Sequence, residues 1–170
     1  MGRLSSGIIA DRIRRHGRPS TTVLVWAAFC MALAHLTLAL QRDNLAVLSL
    51  GVALAGLGFG SAWPLMVIIP GELFGLSHLG ANYMVYDGAG SSLGAVGFAW
   101  LLPRAIYNAH ATDDGSCTGA RCFCLTHAII AIMNIVSVAV ASLLTIRVRW
   151  KLSHHGKDGE EGLLQPRAGV

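Results

Sequence analysis

Four long apolar stretches constrain this chain more than any other feature of its sequence. Three of them contain no Asp, Glu, Lys or Arg, and the other contains a single charged residue, Asp87. Each has close to the roughly 20 residues that an α-helix needs to cross the hydrocarbon core of a bilayer. The stretches are residues 21–40, 45–69, 79–102 and 125–146.

The composition decides between a membrane helix and a buried helix of a soluble protein. A stretch that is apolar on all sides has no polar face for water, so none of the four is an amphipathic surface helix. Only 13% of the residues are charged, and too little chain remains to bury four such helices in a soluble core. Because lipid offers no hydrogen-bond partners, a crossing backbone must satisfy itself as an α-helix. The sequence therefore predicts an all-α membrane protein with about four full transmembrane helices and a remnant of a fifth near residues 2–10.

The basic residues predict which side of the membrane each end faces. Four of the 13 precede the first full helix, five follow the last, and three lie in the two connections on the opposite side. The positive-inside rule therefore places the N-terminal loop and the C-terminal tail in the cytoplasm. We expect residues 151–170 to form a polar, disordered tail. The pattern leaves open whether the membrane is the plasma membrane or that of an organelle.

An ordered set of charged residues follows the first short apolar segment. The run Gly7-Ile-Ile-Ala-Asp11-Arg12-Ile-Arg14-Arg15 resembles the cytoplasmic loop motif of the major facilitator superfamily, G-x-x-x-D-R-x-G-R-R. It departs from the motif at Arg14, where glycine is usual. The resemblance implies that Gly7 permits close helix approach and that Asp11 lies near the N-terminus of a neighbouring helix. It also implies that the arginines reach carboxylates across the bundle.

A second match narrows the branch of this superfamily. The segment Gly71-Glu72-Leu-Phe-Gly75 resembles the E-L-F segment between helices ten and eleven, without the downstream arginine of sugar porters. Cys117-x-Gly119-x-x-Cys122 and Arg147-x-Arg149 are similar to nodulin-like transporters, which are related to monocarboxylate and oxalate carriers. The pair Ser91-Ser92 departs from the Asn-Pro usual in plant members.

The resemblance implies a place in a larger architecture. It assigns the chain to helices 8–12 of the twelve-helix major facilitator fold, with residues 1–150 as a partial C-terminal half and residues 151–170 as the tail. The expected partners are the lipid bilayer, a missing N-terminal transporter half and a small solute of unknown identity. Nucleic acid is not an expected partner, because the basic residues lack aromatic or groove-reading neighbours. The chain is accordingly expected to be a fragment of a longer protein.

Asp87 is the most informative single residue, because an intramembrane carboxylate is costly and marks a functional site by default. Tyr83 lies four residues earlier on the same helical face, and Asn82 and Tyr86 are close in sequence. These four residues are candidates for a solute or proton path. The alternative is that the helix begins later, so that Asp87 faces inner water and the tyrosines belong to the interfacial belt.

Small residues recur in the second and third apolar stretches. Gly56-x-x-x-Gly60 and Gly90-x-x-x-Gly94 are spaced so that helix backbones can approach closely. In the family placement these glycines, with Pro64, permit bending of helices that line a cavity. Static helix packing explains them as well, and the sequence does not choose between the two.

The cysteines and histidines suggest no catalytic or metal centre. Cys117 and Cys122 lie in the predicted outer loop, where we favour a disulfide over a zinc site. His127 is expected to meet water near the outer end of its helix. We expect no cofactor, no metal and no enzymatic activity. The predicted function is transmembrane secondary transport of a small solute; the alternative is a non-transporting, truncated membrane protein that acts only as a packing or interaction partner.

Overall fold

The described part of the chain is built from helices. The computed structural model describes the backbone of residues 2–40 and 44–164 and the side chains of residues 2–40 and 44–150, and within them every regular element is helical. The all-α prediction is confirmed. The elements are α1 (Gly2–Arg15), α2 (Thr21–Leu40), α3 (Leu45–Phe74), a 3₁₀ turn (Leu76–His78), α4 (Leu79–Met84), a π segment (Val85–Ser91), α5 (Ser92–Gly94), a second π segment (Ala95–Leu101), α6 (Leu102–His110), a 3₁₀ turn (Ala120–Cys122) and α7 (Cys124–Leu164).

Three of the described helices are long and apolar enough to cross a membrane. They are α2, α3 and the part of α7 from Cys124 to Trp150. The helix α3 continues past Pro70, where the sequence suggests a helix end. Proline removes only its own N–H donor, and it is tolerated in membrane helices where neighbouring groups satisfy the freed carbonyl. The end comes instead at Gly75, whose φ of 78° is favourable for glycine and whose N–H donates to the Gly71 carbonyl.

The fourth apolar stretch is helical but irregularly hydrogen-bonded. Residues 79–110, here called the interrupted helix, remain right-handed at each junction between its α and π parts. Each of the glycines at 88, 90, 94 and 97 weakens an α-helix by about 1 kcal/mol relative to alanine. The helix runs beyond the predicted end at 102 to His110, because Pro103 occupies its permitted place in the first turn of α6.

Contacts between helices set their directions. A β-carbon added to Gly51 would lie 2.8 Å from Leu38, and one added to Gly58 would lie 2.7 Å from Met31. Residues later in α3 therefore contact residues earlier in α2, so the two helices are antiparallel. The buried residues Ala10, Val23, Leu65 and Ile69 form the core where α1 ends, α2 begins and α3 nears its end.

The helix α7 is also antiparallel to α2. His127 contacts His35, and Cys124 Sγ donates to the Ala39 carbonyl at 2.8 Å. Arg147 lies 23 residues after Cys124, about 35 Å along a helix, so it lies toward the N-terminus of α2.

Two ends of the bundle follow from these directions. The end of α1, the start of α2 and the end of α3 meet at one end of the bundle, here called the arginine end. Arg147 of α7 lies toward the same end. The end of α2 and the starts of α3 and α7 form the other end, here called the disulfide end. The structure thus places Arg147 toward the same end of the bundle as the arginines at the end of α1.

The structure describes the C-terminal tail and the turn between α2 and α3 to different extents. The backbone of α7 is described as a helix to Leu164, and the disorder expected for residues 151–170 stays a prediction. Once a helix is nucleated, each further residue adds a hydrogen bond at low cost, so a long span readily extends into its tail. Residues 165–170, and residues 41–43 in the connection between α2 and α3, lie outside the described residues.

Candidate functional site

Charged side chains at the arginine end pair within one helix. Arg14 Nη2 donates to Asp11 Oδ1 at 2.8 Å, and Arg15 Nε donates to Asp11 Oδ2 at 3.0 Å. The hydrogen bond from Arg14, followed by that from Arg15, holds the pKa of the Asp11 carboxyl below its usual range. Asp11 therefore offsets part of the positive charge of Arg12, Arg14 and Arg15 in the turn that carries it.

Glu72 links α3 to the beginning of α2. Its carboxylate accepts a hydrogen bond from the Ser20 hydroxyl at 2.5 Å and one from the Ser20 N–H at 3.4 Å. Ser20 is fully buried and directly precedes Thr21, the first residue of α2. A carboxylate at this position satisfies a free N–H group and complements the positive end of the helix dipole.

The structure does not show the contacts that the resemblance implies for Asp11 and for the arginines of the loop motif. The resemblance implies that Asp11 lies near a neighbouring helix N-terminus, but the structure places Glu72 at that position. The resemblance also implies that arginines reach across the bundle, whereas Arg14 and Arg15 bond Asp11 on α1 itself. Spacing explains the difference, because residues three and four apart on a helix are already neighbours. Gly7 has open space beside it, so it makes no close helix approach within the described residues.

Asp87 lies in the first π segment of the interrupted helix. It is eight residues after Leu79, about 12 Å along the helix axis from the arginine end. Its side chain is partly exposed, and no basic residue of the described chain forms an ion pair with it. A π segment is rare and is frequent at functional sites. Asp87 is thus an acidic residue about two turns inside an apolar helix, without a cationic partner in the described part.

Of the three companion residues, Tyr83 is the one that interacts electrostatically with the Asp87 carboxylate. It lies four residues before Asp87, on the same helical face. Asn82 and Tyr86 form no hydrogen bond within the described residues, and Tyr86 is 49% exposed. A solute or proton path through these four residues stays a prediction, with Tyr83 as the residue that interacts with Asp87.

The glycine pairs differ in what surrounds them. Gly60 lies beside α1, where an added β-carbon would be 3.4 Å from Gly2 Cα, while Gly56, Gly90 and Gly94 have open space around them. Close approach in this structure occurs instead at Gly51 and Gly58, which pack against α2. Helix packing thus does not account for Gly56, Gly90 or Gly94 within the described residues.

Pro64 lies inside α3, which the structure describes as a single helix from Leu45 to Phe74. It precedes Leu65, which is almost completely buried in the core at the arginine end. A proline at this depth removes one backbone hydrogen bond and is a usual cause of a bend in a membrane helix.

The disulfide end holds the connection between the interrupted helix and α7. Cys117 and Cys122 form a disulfide with their Cα atoms 6.0 Å apart, and Cys122 is fully buried. The Cys117 N–H donates to the Tyr107 hydroxyl at 3.0 Å. The connection is therefore attached to α6 as well as closed on itself.

One close pair was not foreseen from the sequence. His35 on α2 and His127 on α7 face each other, with their Nδ1 atoms 3.1 Å apart. The available signal was that these are the two histidines within the apolar stretches. Nothing in the linear order shows that residues 92 positions apart meet.

Comparison with known proteins yields one weak relative. No protein-family model and no solved structure matches the chain. The sequence is 31% identical over 105 residues to "Probable transporter mch1" of Emericella nidulans. The match covers 59% of this chain but only 17% of the fungal protein. The long apolar helices together with this similarity describe a multi-pass membrane protein.

Proposed function

We propose that the protein serves in secondary transport of a small solute, as part of a transporter of the major facilitator type. The observation that carries this proposal is the 31% identity to a fungal protein named as a probable transporter. A second line of support is Asp87, because a carboxylate retained in an apolar helix is typical of solute and proton pathways.

The interrupted helix is the proposed cavity-lining element. No residue from Val85 to Leu101 is buried, and added β-carbons on Gly88, Gly90, Gly94 and Gly97 would meet nothing within 4 Å. Transporters of this type place their site at the interface between two repeats. We infer that the open side of this helix faces a solute pathway and an opposing six-helix half.

Pro64 and the open glycines are proposed to let these helices bend during transport. Gly56 and Gly90 make no contact that a β-carbon would disturb, so bending accounts for them better than packing does. In membrane helices, glycine and proline are tolerated because neighbouring groups satisfy the freed backbone atoms.

The arginine end is proposed to hold the helices together on the inner side during this cycle. The Glu72–Ser20 contact joins α3 to α2, and the Asp11 pairs stiffen the end of α1. The exposed ion pairs of Asp11 contribute little to stability, so they can break and re-form in a transport cycle. The motifs around Glu72, Cys117 and Arg147 favour the nodulin-like branch within this proposal.

The orientation of the chain is a prediction of its own. The arginine end and the C-terminal tail should face the cytoplasm, because nine of the 13 basic residues lie there. A tag placed after Val170 should be labelled only after the membrane is permeabilised, whereas a tag in the loop around Asp113 should be labelled in sealed membranes. The reverse pattern would overturn this orientation.

Transport itself is tested with the protein as it occurs in its cells of origin. A tag after Val170 should recover either a polypeptide with about twelve helices or a complex with a second helical half. Reconstituted in proteoliposomes, this material should show saturable uptake of one member of a panel of small carboxylates and amino acids. The 170-residue chain alone should show none, because alternating access needs two opposed repeats.

Two results would contradict the proposal. Recovery of the tagged chain without a second half, together with no saturable uptake of any solute in the panel, would favour a non-transporting membrane protein. Saturable uptake by the isolated chain would show instead that it builds a complete pathway, for example by assembling with further copies.

A further inference from the structure

The histidines of α2 and α7 are placed for shared proton chemistry. Their Nδ1 atoms lie 3.1 Å apart, and the ring centroids are 5.3 Å apart with the planes tilted by 33°. A contact of this length between two ring nitrogens is a hydrogen bond only if one Nδ1 carries a hydrogen and the other does not. Such a bond requires the two neutral rings to be complementary tautomers, one with its hydrogen on Nδ1 and the other with its hydrogen on Nε2.

The pair lies near the end of α2 and the start of α7. His35 lies five residues before the end of α2, about 7.5 Å, and His127 lies three residues after the start of α7, about 4.5 Å. Both side chains are partly buried. They lie at the disulfide end, on the opposite side of the bundle from Asp11 and Glu72.

We propose that His35 and His127 form a proton-binding site that takes up one proton as a unit. In the neutral pair, one ring donates from Nδ1 and keeps a free lone pair on Nε2. The first added proton binds this Nε2 and leaves the Nδ1–H···Nδ1 bond intact, now strengthened by the charge of the donor ring. The site therefore holds one positive charge that either ring can carry.

A second proton cannot be accommodated in the same way. It would have to bind the accepting Nδ1, so that two N–H groups and two positive charges would face each other at 3.1 Å. The hydrogen bond between α2 and α7 would then be lost. The geometry thus predicts strong negative cooperativity between the two protonation steps.

Among the described residues, few other titratable groups surround the pair. On α7, Cys124 lies one turn away and donates to Ala39, and on α2 the other titratable side chain is Cys30, more than one turn from His35. The helix α3 contributes Leu48 to the cavity beside His127 and carries no titratable residue between 45 and 70. From the other side, Ala120 and Phe123 line this cavity, with Arg121 between them and Tyr107 of α6 packed on Phe123.

This environment explains why a proton is the favoured ligand. The described residues contain no group of three or more His, Cys, Asp and Glu side chains that could hold a metal ion, whereas a structural zinc site uses four ligands. No acidic side chain of the described chain pairs with either ring. An added charge is then stabilised mainly by sharing between the two imidazoles.

The test is ¹⁵N NMR of the histidine-labelled 170-residue chain in lipid bilayers between pH 8 and pH 4. In the wild type, the two rings should show a nitrogen–nitrogen coupling across the hydrogen bond at neutral pH. Their titration should follow two steps separated by more than about one pH unit, as expected for strongly interacting groups. This measurement needs no transport, so its outcome is independent of the proposed function.

Two variants make the assignment specific. His127→Asn should leave His35 with a single titration step and no coupling, and His35→Asn should do the same for His127. The matched control is His110→Asn, since the His110 Nδ1 contacts the Ile106 carbonyl of its own helix; it should leave both steps of the pair unchanged. Absence of the coupling in the wild type, or a titration of each ring that is unaffected by removal of the other, would overturn the proposal.

Discussion

Replacing Asp87 by asparagine should reduce uptake by the complete transporter roughly ten-fold or more, because the amide can neither carry the negative charge of the carboxylate nor exchange a proton with the solute pathway. Asparagine keeps the size of the side chain and its capacity to accept a hydrogen bond. No basic residue of the described chain depends on the Asp87 charge, so the abundance of the protein in the membrane should stay close to normal. The measurement is initial uptake rate against pH, normalised to the amount of inserted protein.

The matched control for this variant is Asp113→Asn. Asp113 lies in the exposed connection near the disulfide end, outside the apolar helices, so the same chemical change should leave uptake unaltered. If Asp87→Asn transports at the normal rate with an unchanged pH profile, Asp87 is an interfacial residue and not part of the pathway. If the protein instead disappears from the membrane, the role of Asp87 is structural.

Replacing Gly58 by valine should disrupt the contact between α2 and α3. A β-carbon at this position would lie 2.7 Å from Met31 Cγ and 3.0 Å from the Ala27 carbonyl oxygen. Met31 can move, but the Ala27 oxygen belongs to the backbone of a packed helix. Overpacking of this kind typically costs about 1–3 kcal/mol. We expect a lower unfolding temperature in detergent and a smaller fraction of monodisperse protein.

Gly56→Val provides a control on the same helix. Gly56 is exposed, and a β-carbon there meets nothing within 4 Å. Both variants change the intrinsic helix preference of α3 equally, so a difference between them reports packing alone. Equal stability of the two variants would contradict the described packing of α2 on α3.

The helical segments were largely predictable from local sequence. Three of the four apolar stretches correspond to the membrane-length helices α2, α3 and α7. An apolar stretch of about 20 residues is matched to the thickness of the lipid bilayer, whichever helices pack beside it. The boundaries were less predictable, since Pro70 and Pro103 do not end helices here. A proline ends a helix only when no neighbouring group or first-turn position accommodates it.

The sequence could identify Asp87 as a candidate site residue, but it could not predict how the residues around it are arranged. Asp87 stands out in the sequence because a charge in an apolar stretch is rare. The four-residue spacing of Tyr83 and Asp87 also indicates that the two share one helical face, but the π segment that holds Asp87 is not apparent from the sequence. Whether Gly56 or Gly58 packs against α2 depends on which side of α3 faces that helix, and glycine spacing alone cannot specify this.

The sequence by itself determined that the apolar stretches lie in a lipid bilayer, that the backbone is helical and that positive charge is unevenly distributed. These properties follow from composition summed over a segment, so they do not require knowledge of the partners. Only the tertiary structure decided that Glu72 binds Ser20, 52 residues away, and that His35 meets His127, 92 residues away. Such pairs depend on the directions and rotations of packed helices, which arise from contacts among many residues at once.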